Sequence, residues 1–238
     1  MIIIEKIKHL ARKLLYGPKA DSDSYISYLR SLGVQIGEYC AIIAPTKTTI
    51  DITRPFLISI GNNVVITEDV SILTHGYDWS VLKGVYGDVL GSSGEVTIGS
   101  NVFIGIKSTI LKGVHIGNNV IIGANSLVNK DIPDNVVAAG NPCRVIMTLD
   151  EYHEKRKAAQ IKEAKELVLK YKERYGKAPN EEALREFFWL FSDDSCELPE
   201  VWSDVLKLCG NYEMSKSQLN KNQKRFNSMK EFISECYK

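Results

Sequence analysis

Four histidines and five cysteines are the side chains of this 238-residue chain with the chemistry for proton transfer, nucleophilic attack or metal ligation. His75 stands apart. It lies in the run SILTHGYDW, at the end of an apolar block and directly before a stretch that breaks the surrounding pattern. An imidazole titrates near neutral pH, so it can take a proton from a hydroxyl as that oxygen attacks, then pass the proton to a leaving group. Such a base needs an acceptor to orient its ring. Asp78 three residues on, Asp51 in the segment TTID, and a backbone carbonyl are the candidates. His9 and His153 fall on expected helices. Cys40, Cys143, Cys196, Cys209 and Cys236 are odd in number and lack metal-ligand spacing. That usage fits a reduced intracellular, cytoplasmic protein without a metal site.

The elements that would carry His75 are legible from a period. Between Ile98 and Pro133 the chain reads IGSNVF, IGIKST, ILKGVH, IGNNVI, IGANSL, VNKDIP, with Ile or Val opening every block. A fixed six-residue period means one small backbone unit stacked on itself. It fits neither helical spacing nor strand alternation, and suits short strands joined by tight corners with Gly or Asn in the bend. His115 takes the sixth, outward-facing place of its block. The period is faint from Val34, strong from Ile58, and fails between Gly76 and Glu95. Ordered loops of about twenty residues inside a repeat are uncommon and usually functional. Tyr77, Trp79 and Tyr86 in this interruption argue for an ordered excursion.

These blocks resemble the hexapeptide-repeat acyltransferases, in the maltose/galactoside acetyltransferase branch and close to capsular polysaccharide O-acetyltransferases. The resemblance implies a mainly β protein: a left-handed parallel β-helix of triangular section, three hexapeptides per coil, assembled as a homotrimer. It makes His75 the catalytic base for transfer of an acetyl group from acetyl-CoA to a sugar hydroxyl, with the 76–95 excursion in the acceptor wall. Asp51, Asp78 and Trp79 are the expected acceptor-binding residues. The closing run IIGANSLVNKDIPDNVVAAGNPCRVI implies a coenzyme groove between subunits. There Phe103 flanks the pantetheine, Ala124 gives a backbone contact, and Asn129, Lys130 and Arg144 lie near the nucleotide phosphates. Met147 stands where many relatives have a second arginine, which implies either weaker phosphate binding or the use of Lys112 instead. Ile106 replaces a serine that polarises the thioester, so a backbone N–H at Gly105 or Ile106 becomes the oxyanion donor. Carbonic anhydrases on the same β-helix need three converging histidines, which this chain does not offer.

The rest of the chain frames that prism. The expected domains are 1–33, N-terminal helices; 34–147, the β-helix; and 148–238, a helical region. Helices are expected over 2–16 and 22–32, the second capped by Ser22 or Asp23. Another is expected from a cap at Asp150 to Tyr175, then EEALREFFWLFSDD behind an Asn180 cap, LPEVWSDVLKLCG and SMKEFISECYK. Residues 211–227 are polar and specify little. A formal charge of +1 advertises no nucleic-acid partner. No run is long and apolar enough for stable membrane insertion. An amino-sugar N-acetyltransferase and a non-catalytic scaffold binding a partner through its helical tail are the rival readings.

Overall fold

The computed structural model of the protein describes residues 10–193 and 197–238. The first part of the expected opening helix, with His9, lies outside them, as does Cys196. Strands of two to four residues stack in parallel into three faces. The first face holds Gln35–Ile36, Ile58–Ile60, Val96–Ile98 and His115–Ile116, and Ile132 bridges to Ile116. The second holds Ala41–Ile42, Val64–Ile66, Val102–Ile104, Val120–Ile122 and Val136–Ala139. The third holds Thr49–Ile50, Ser71–Ile72, Thr109–Ile110 and Leu127–Val128. The chain visits the faces in that order and then repeats, which makes a parallel β-helix.

The six-residue pattern explains the packing. Ile98, Val102, Ile104, Ile110, Val114, Ile116, Val120, Ile122 and Val128 all point inward and are at most 3% exposed. Each such side chain contributes about 1.5–3 kcal/mol by leaving water. Ser108 and Ser126 take two inward slots, and both hydroxyls donate to the Gly123 carbonyl, at 3.1 and 2.6 Å. The corners hold the coils in register. Asn101, Asn119 and Asn135 adopt positive φ at one corner, and their amides form a ladder with bonds of 2.9 and 2.8 Å. At the next corner the coils come so close that a Cβ on Gly105 would sit 2.5 Å from the Ala124 nitrogen.

The interruption is a defined structure. Ile98 pairs with Ile116, 18 residues on, yet Ile60 pairs with Ile98, 38 residues on. The extra residues leave at the corner between the third and first faces. His75–Gly76 pairs antiparallel with Ser92–Ser93, and the helix Trp79–Tyr86 lies between them, ended by Gly87 at φ +82°.

Residues 10–16 are helical, and a second helix spans Ser22–Leu32. Its cap is Asp21, in place of the expected Ser22 or Asp23. Asp21 is extended and its carboxylate accepts the Ser24 N–H at 2.8 Å, while the Ser22 hydroxyl accepts the Ile42 N–H at 2.9 Å. Tyr25, Ile26 and Leu29 bury this helix against the prism core.

The chain divides into two compact units, the second being His153–Lys238. The helix Leu149–Tyr175 opens on Thr148 instead of Asp150: the Thr148 hydroxyl accepts the Glu151 N–H and the Glu151 carboxylate returns the bond, a capping box. The expected helix over 181–194 reaches past the described residues, and residues 181–193 depart from it. Asn180 does accept the Ala183 N–H, but turns follow, with a 3₁₀ segment at Phe188–Leu190. Phe188, Leu190 and Phe191 are all buried. Helices at Glu200–Lys207 and Met229–Cys236 fall where expected, and Tyr212–Leu219 adds one in the poorly specified stretch. Trp202, Phe232, Leu184 and Val168 anchor this unit's own core.

Candidate active site

His75 sits where the third face ends, and the residue below it in the preceding coil decides its chemistry. Ile50 pairs with Ile72, so Asp51 and Thr53 emerge at the corner from which His75 also emerges. The His75 Nδ1 lies 2.6 Å from the Asp51 Oδ2, and the two side chains are 14% and 5% exposed. Of the three candidate acceptors, the structure brings Asp51 to the ring. Asp78 is not there: its carboxylate packs against Gly76 at the head of the excursion helix.

Asp51 is saturated with donors. Its Oδ1 accepts the Thr53 N–H at 3.0 Å and the Thr53 hydroxyl at 2.7 Å. Its Oδ2 accepts the Thr74 N–H at 3.2 Å and the Thr74 hydroxyl, besides the His75 ring. Burial alone would raise this carboxyl, but the hydrogen bonds from Thr74, Thr53 and His75 outweigh it and hold it well below the usual carboxylate range. An ionised carboxylate only accepts, so His75 Nδ1 carries the proton and Nε2 is left as the basic nitrogen. Asp51 is buried, and its two carboxylate oxygens are engaged by Thr53, Thr74 and His75. Thr74, wholly buried, and Thr53 escaped the sequence reading. The Asp51-x-Thr53 spacing of an Asx-turn was the available signal.

Aromatic rings extend from the imidazole into the excursion. Tyr77 meets His75 edge-on at 5.1 Å between centroids, and Trp79 lies 6.1 Å beyond Tyr77. Trp79 is half-buried, Tyr77 and Asp78 are exposed.

The expected coenzyme residues separate into two groups. Ile72, Ile110 and Val128 align on the third face, so Thr74, Lys112 and Lys130 hold equivalent places in successive coils. Lys130 therefore lies two coils, roughly 10 Å, along the same corner as His75, with Asn129 beside it. Both are exposed. Phe103, Gly105, Ile106 and Ala124 belong to the second face and the corner after it. Phe103 and Ile106 are 42% and 41% exposed, large apolar groups turned to solvent. The Gly105 N–H donates to the Ile122 carbonyl at 2.8 Å, so it is spent inside the prism and Ile106 remains the oxyanion candidate. Arg144 begins the antiparallel strand Arg144–Thr148 that closes this face, and one of its nitrogens folds back onto the Cys143 carbonyl at 2.7 Å. Cys143 is buried, and burial pushes its thiol up, which makes it inert.

Comparison with known proteins places this geometry. Residues 95–130 match the family described as bacterial transferase hexapeptide (six repeats). Protein CapG of Staphylococcus aureus is 43% identical over 127 residues, which is 53% of this chain and 73% of CapG. Galactoside O-acetyltransferase of Escherichia coli K12 is 42% identical over 100 residues, 42% of this chain and 48% of that protein. A solved galactoside acetyltransferase in complex with coenzyme A is 29% identical, with a TM-score of 0.42 over 63% of this chain and 84% of that one. The chain belongs to the hexapeptide-repeat transferases, in their acetyltransferase branch. The similarity to the Escherichia coli enzyme spans about half of that relative's length.

Proposed function

We propose that this chain transfers the acetyl group of acetyl-CoA to a hydroxyl of a sugar or polysaccharide precursor, with His75 as general base. The observation that carries the reading is the 2.6 Å bond between His75 Nδ1 and a carboxylate held ionised by five donated hydrogen bonds. As the hydroxyl oxygen attacks the thioester carbon, Nε2 takes its proton. Asp51 stabilises the imidazolium so formed, the C–S bond breaks, and the proton passes to the departing sulfur. The products are an O-acetyl ester and the free thiol of the coenzyme. The Ile106 N–H stabilises the oxyanion in this scheme.

The two-corner separation of the coenzyme residues supports a groove formed between copies. Phe103, Ile106 and Ala124 of one chain would face His75, Asn129 and Lys130 of the next, as a side-by-side trimer requires. Exposed Val81, Val85, Tyr86, Val89 and Leu90 on the excursion fit burial in such an assembly. Lys130, Lys112 and Arg144 then serve the nucleotide phosphates, and Trp79, Asp78 and Tyr77 the acceptor. Left-handed winding and a cytoplasmic site of action belong to the same reading. Among the described residues no helix is long and apolar enough to cross a membrane.

Thiol release from acetyl-CoA across galactosides, maltose, amino sugars and nucleotide sugars tests the proposal. Release should depend on an acceptor, and His75→Ala should lower turnover by about 10²–10⁴-fold. No release with any acceptor, and no binding of acetyl-CoA, would sink it.

A further inference from the structure

The second unit has a cleft of about 380 Å³ that the acetyl-transfer chemistry does not use. That volume lies within the ~300–1,000 Å³ range of small-molecule sites. One wall is a helix face: His153, Arg156, Lys157 and Gln160 recur at helical spacing along Leu149–Tyr175. The other wall is aromatic, formed by half-buried Phe187 and Trp189, with Glu186 at the rim.

The aromatic wall is held before any ligand arrives. Phe188 meets Trp189 edge-on at 5.4 Å and stacks on Trp202 at 5.8 Å. The Trp202 Nε1–H donates to the Glu181 carbonyl at 2.9 Å. Asn222 donates to the Trp189 and Ser192 carbonyls at 2.7 and 2.8 Å. These bonds tie down the backbone that carries Phe187 and Trp189. Preorganisation of this kind lowers the ordering cost of binding.

Charge narrows the ligand. Arg156 is engaged with both carboxylate oxygens of Glu163, and Lys157 donates to Glu154 at 3.0 Å. The cations of the cleft are therefore largely balanced, which disfavours a phosphate or other polyanion. What the walls offer are aromatic faces beside planar groups that donate or accept: the Gln160 amide, the Glu186 carboxylate and the His153 imidazole. A pyranose ring matches both, with an apolar C–H face and a rim of hydroxyls. The aromatic face supplies area at low entropic cost, and the planar groups read the hydroxyls.

We propose that this cleft is a saccharide-binding subsite, recognising a neutral unit of a sugar chain and separate from the residues that move the acetyl group. The proposal rests on the reading of the acceptor as a saccharide, which the following experiment keeps distinguishable from it. The full chain is applied to an array of neutral hexose and N-acetylhexosamine oligomers, and binding to any positive oligomer is measured by titration calorimetry. Trp189→Ala and Gln160→Ala should each weaken it about tenfold or more, Trp189→Phe less than Trp189→Ala, and His75→Ala should leave it intact. Gln160 lies on a helix surface, so its variant keeps the test valid if Trp189→Ala unfolds. Thiol release with monosaccharide acceptors should be unchanged in Gln160→Ala. The proposal is overturned if no oligomer binds, if only anionic oligomers bind, if the Gln160 and Trp189 variants bind like the parent, or if His75→Ala abolishes binding. Thiol release that persists with sugar acceptors would leave the acetyl-transfer reading standing in each of those cases.

Discussion

Replacing Asp51 by Asn changes one atom and, by the geometry of the corner, most of the rate. The carboxylate takes five donors on two oxygens. An amide must turn its NH₂ toward one set. Facing Thr53, it loses one backbone bond and keeps His75 in the productive tautomer. Facing Thr74 and His75, it opposes the Thr74 N–H and forces Nδ1 to accept, which moves the proton to Nε2 and disables the base. The first orientation is the less costly and sets the minimum effect. There the loss is charge alone: at an effective dielectric of about 20 and about 4 Å, a carboxylate holds an imidazolium by about 4 kcal/mol. The bond to the neutral ring already uses part of this, so roughly 3 kcal/mol is specific to the transition state, or about 10²-fold in rate. Steady-state thiol release with acetyl-CoA should show kcat down by about 10²-fold or more and KM for acetyl-CoA little changed. Asp51 acts through His75, so adding Asp51→Asn to His75→Ala should cost almost nothing further. A folded Asp51→Asn variant with kcat within threefold of the parent, or additive losses in the double variant, would refute the reasoning.

Three further outcomes follow from the same structure. Lys130→Ala should raise KM for acetyl-CoA several-fold with kcat nearly unchanged, an effect that shrinks at high salt if the lysine meets phosphate; kinetics at two ionic strengths decide it. Gly105→Ala should destabilise the prism by about 1–3 kcal/mol, because its Cβ would lie 2.5 Å from the Ala124 nitrogen, and an unshifted urea midpoint would contradict the close approach. The depressed Asp51 carboxyl also sets an acid limit. The unfolded chain takes up the proton first as pH falls, so this group's stabilisation is complete above the ordinary carboxylate range of about 4 and is lost below it. Urea midpoints should show the parent's advantage over Asp51→Asn shrinking below about pH 4.

The sequence carried the prism almost whole because most inward slots hold an aliphatic side chain and most corners a Gly or Asn. Ile98 to Pro133 could hardly be read otherwise. His75 was legible from where the period stops. Its partner was one of three candidates that the sequence left open: Asp51 and His75 are 24 residues apart, and the coil-to-coil register that joins them runs through the out-of-register segment TKTTIDITRPF. The caps at Asp21 and Thr148 went to neighbours of the expected residues because two or three polar side chains competed at each start. Residues 181–193 misled for a tertiary reason. A run with good helix formers and four aromatics reads as an amphipathic helix until Trp202 and Asn222, from later in the chain, pull it into turns.

The asparagine ladder has an evolutionary consequence. It fixes coil pitch at the corner between the first and second faces, whereas the excursion springs from the corner between the third and the first. Inheritance can therefore treat the two separately. Residues 77–91 behave as a cassette whose ends are fastened by the short pairing of His75–Gly76 with Ser92–Ser93. Exchanging that cassette alters what stands beside the imidazole while the winding of the prism stays as it was.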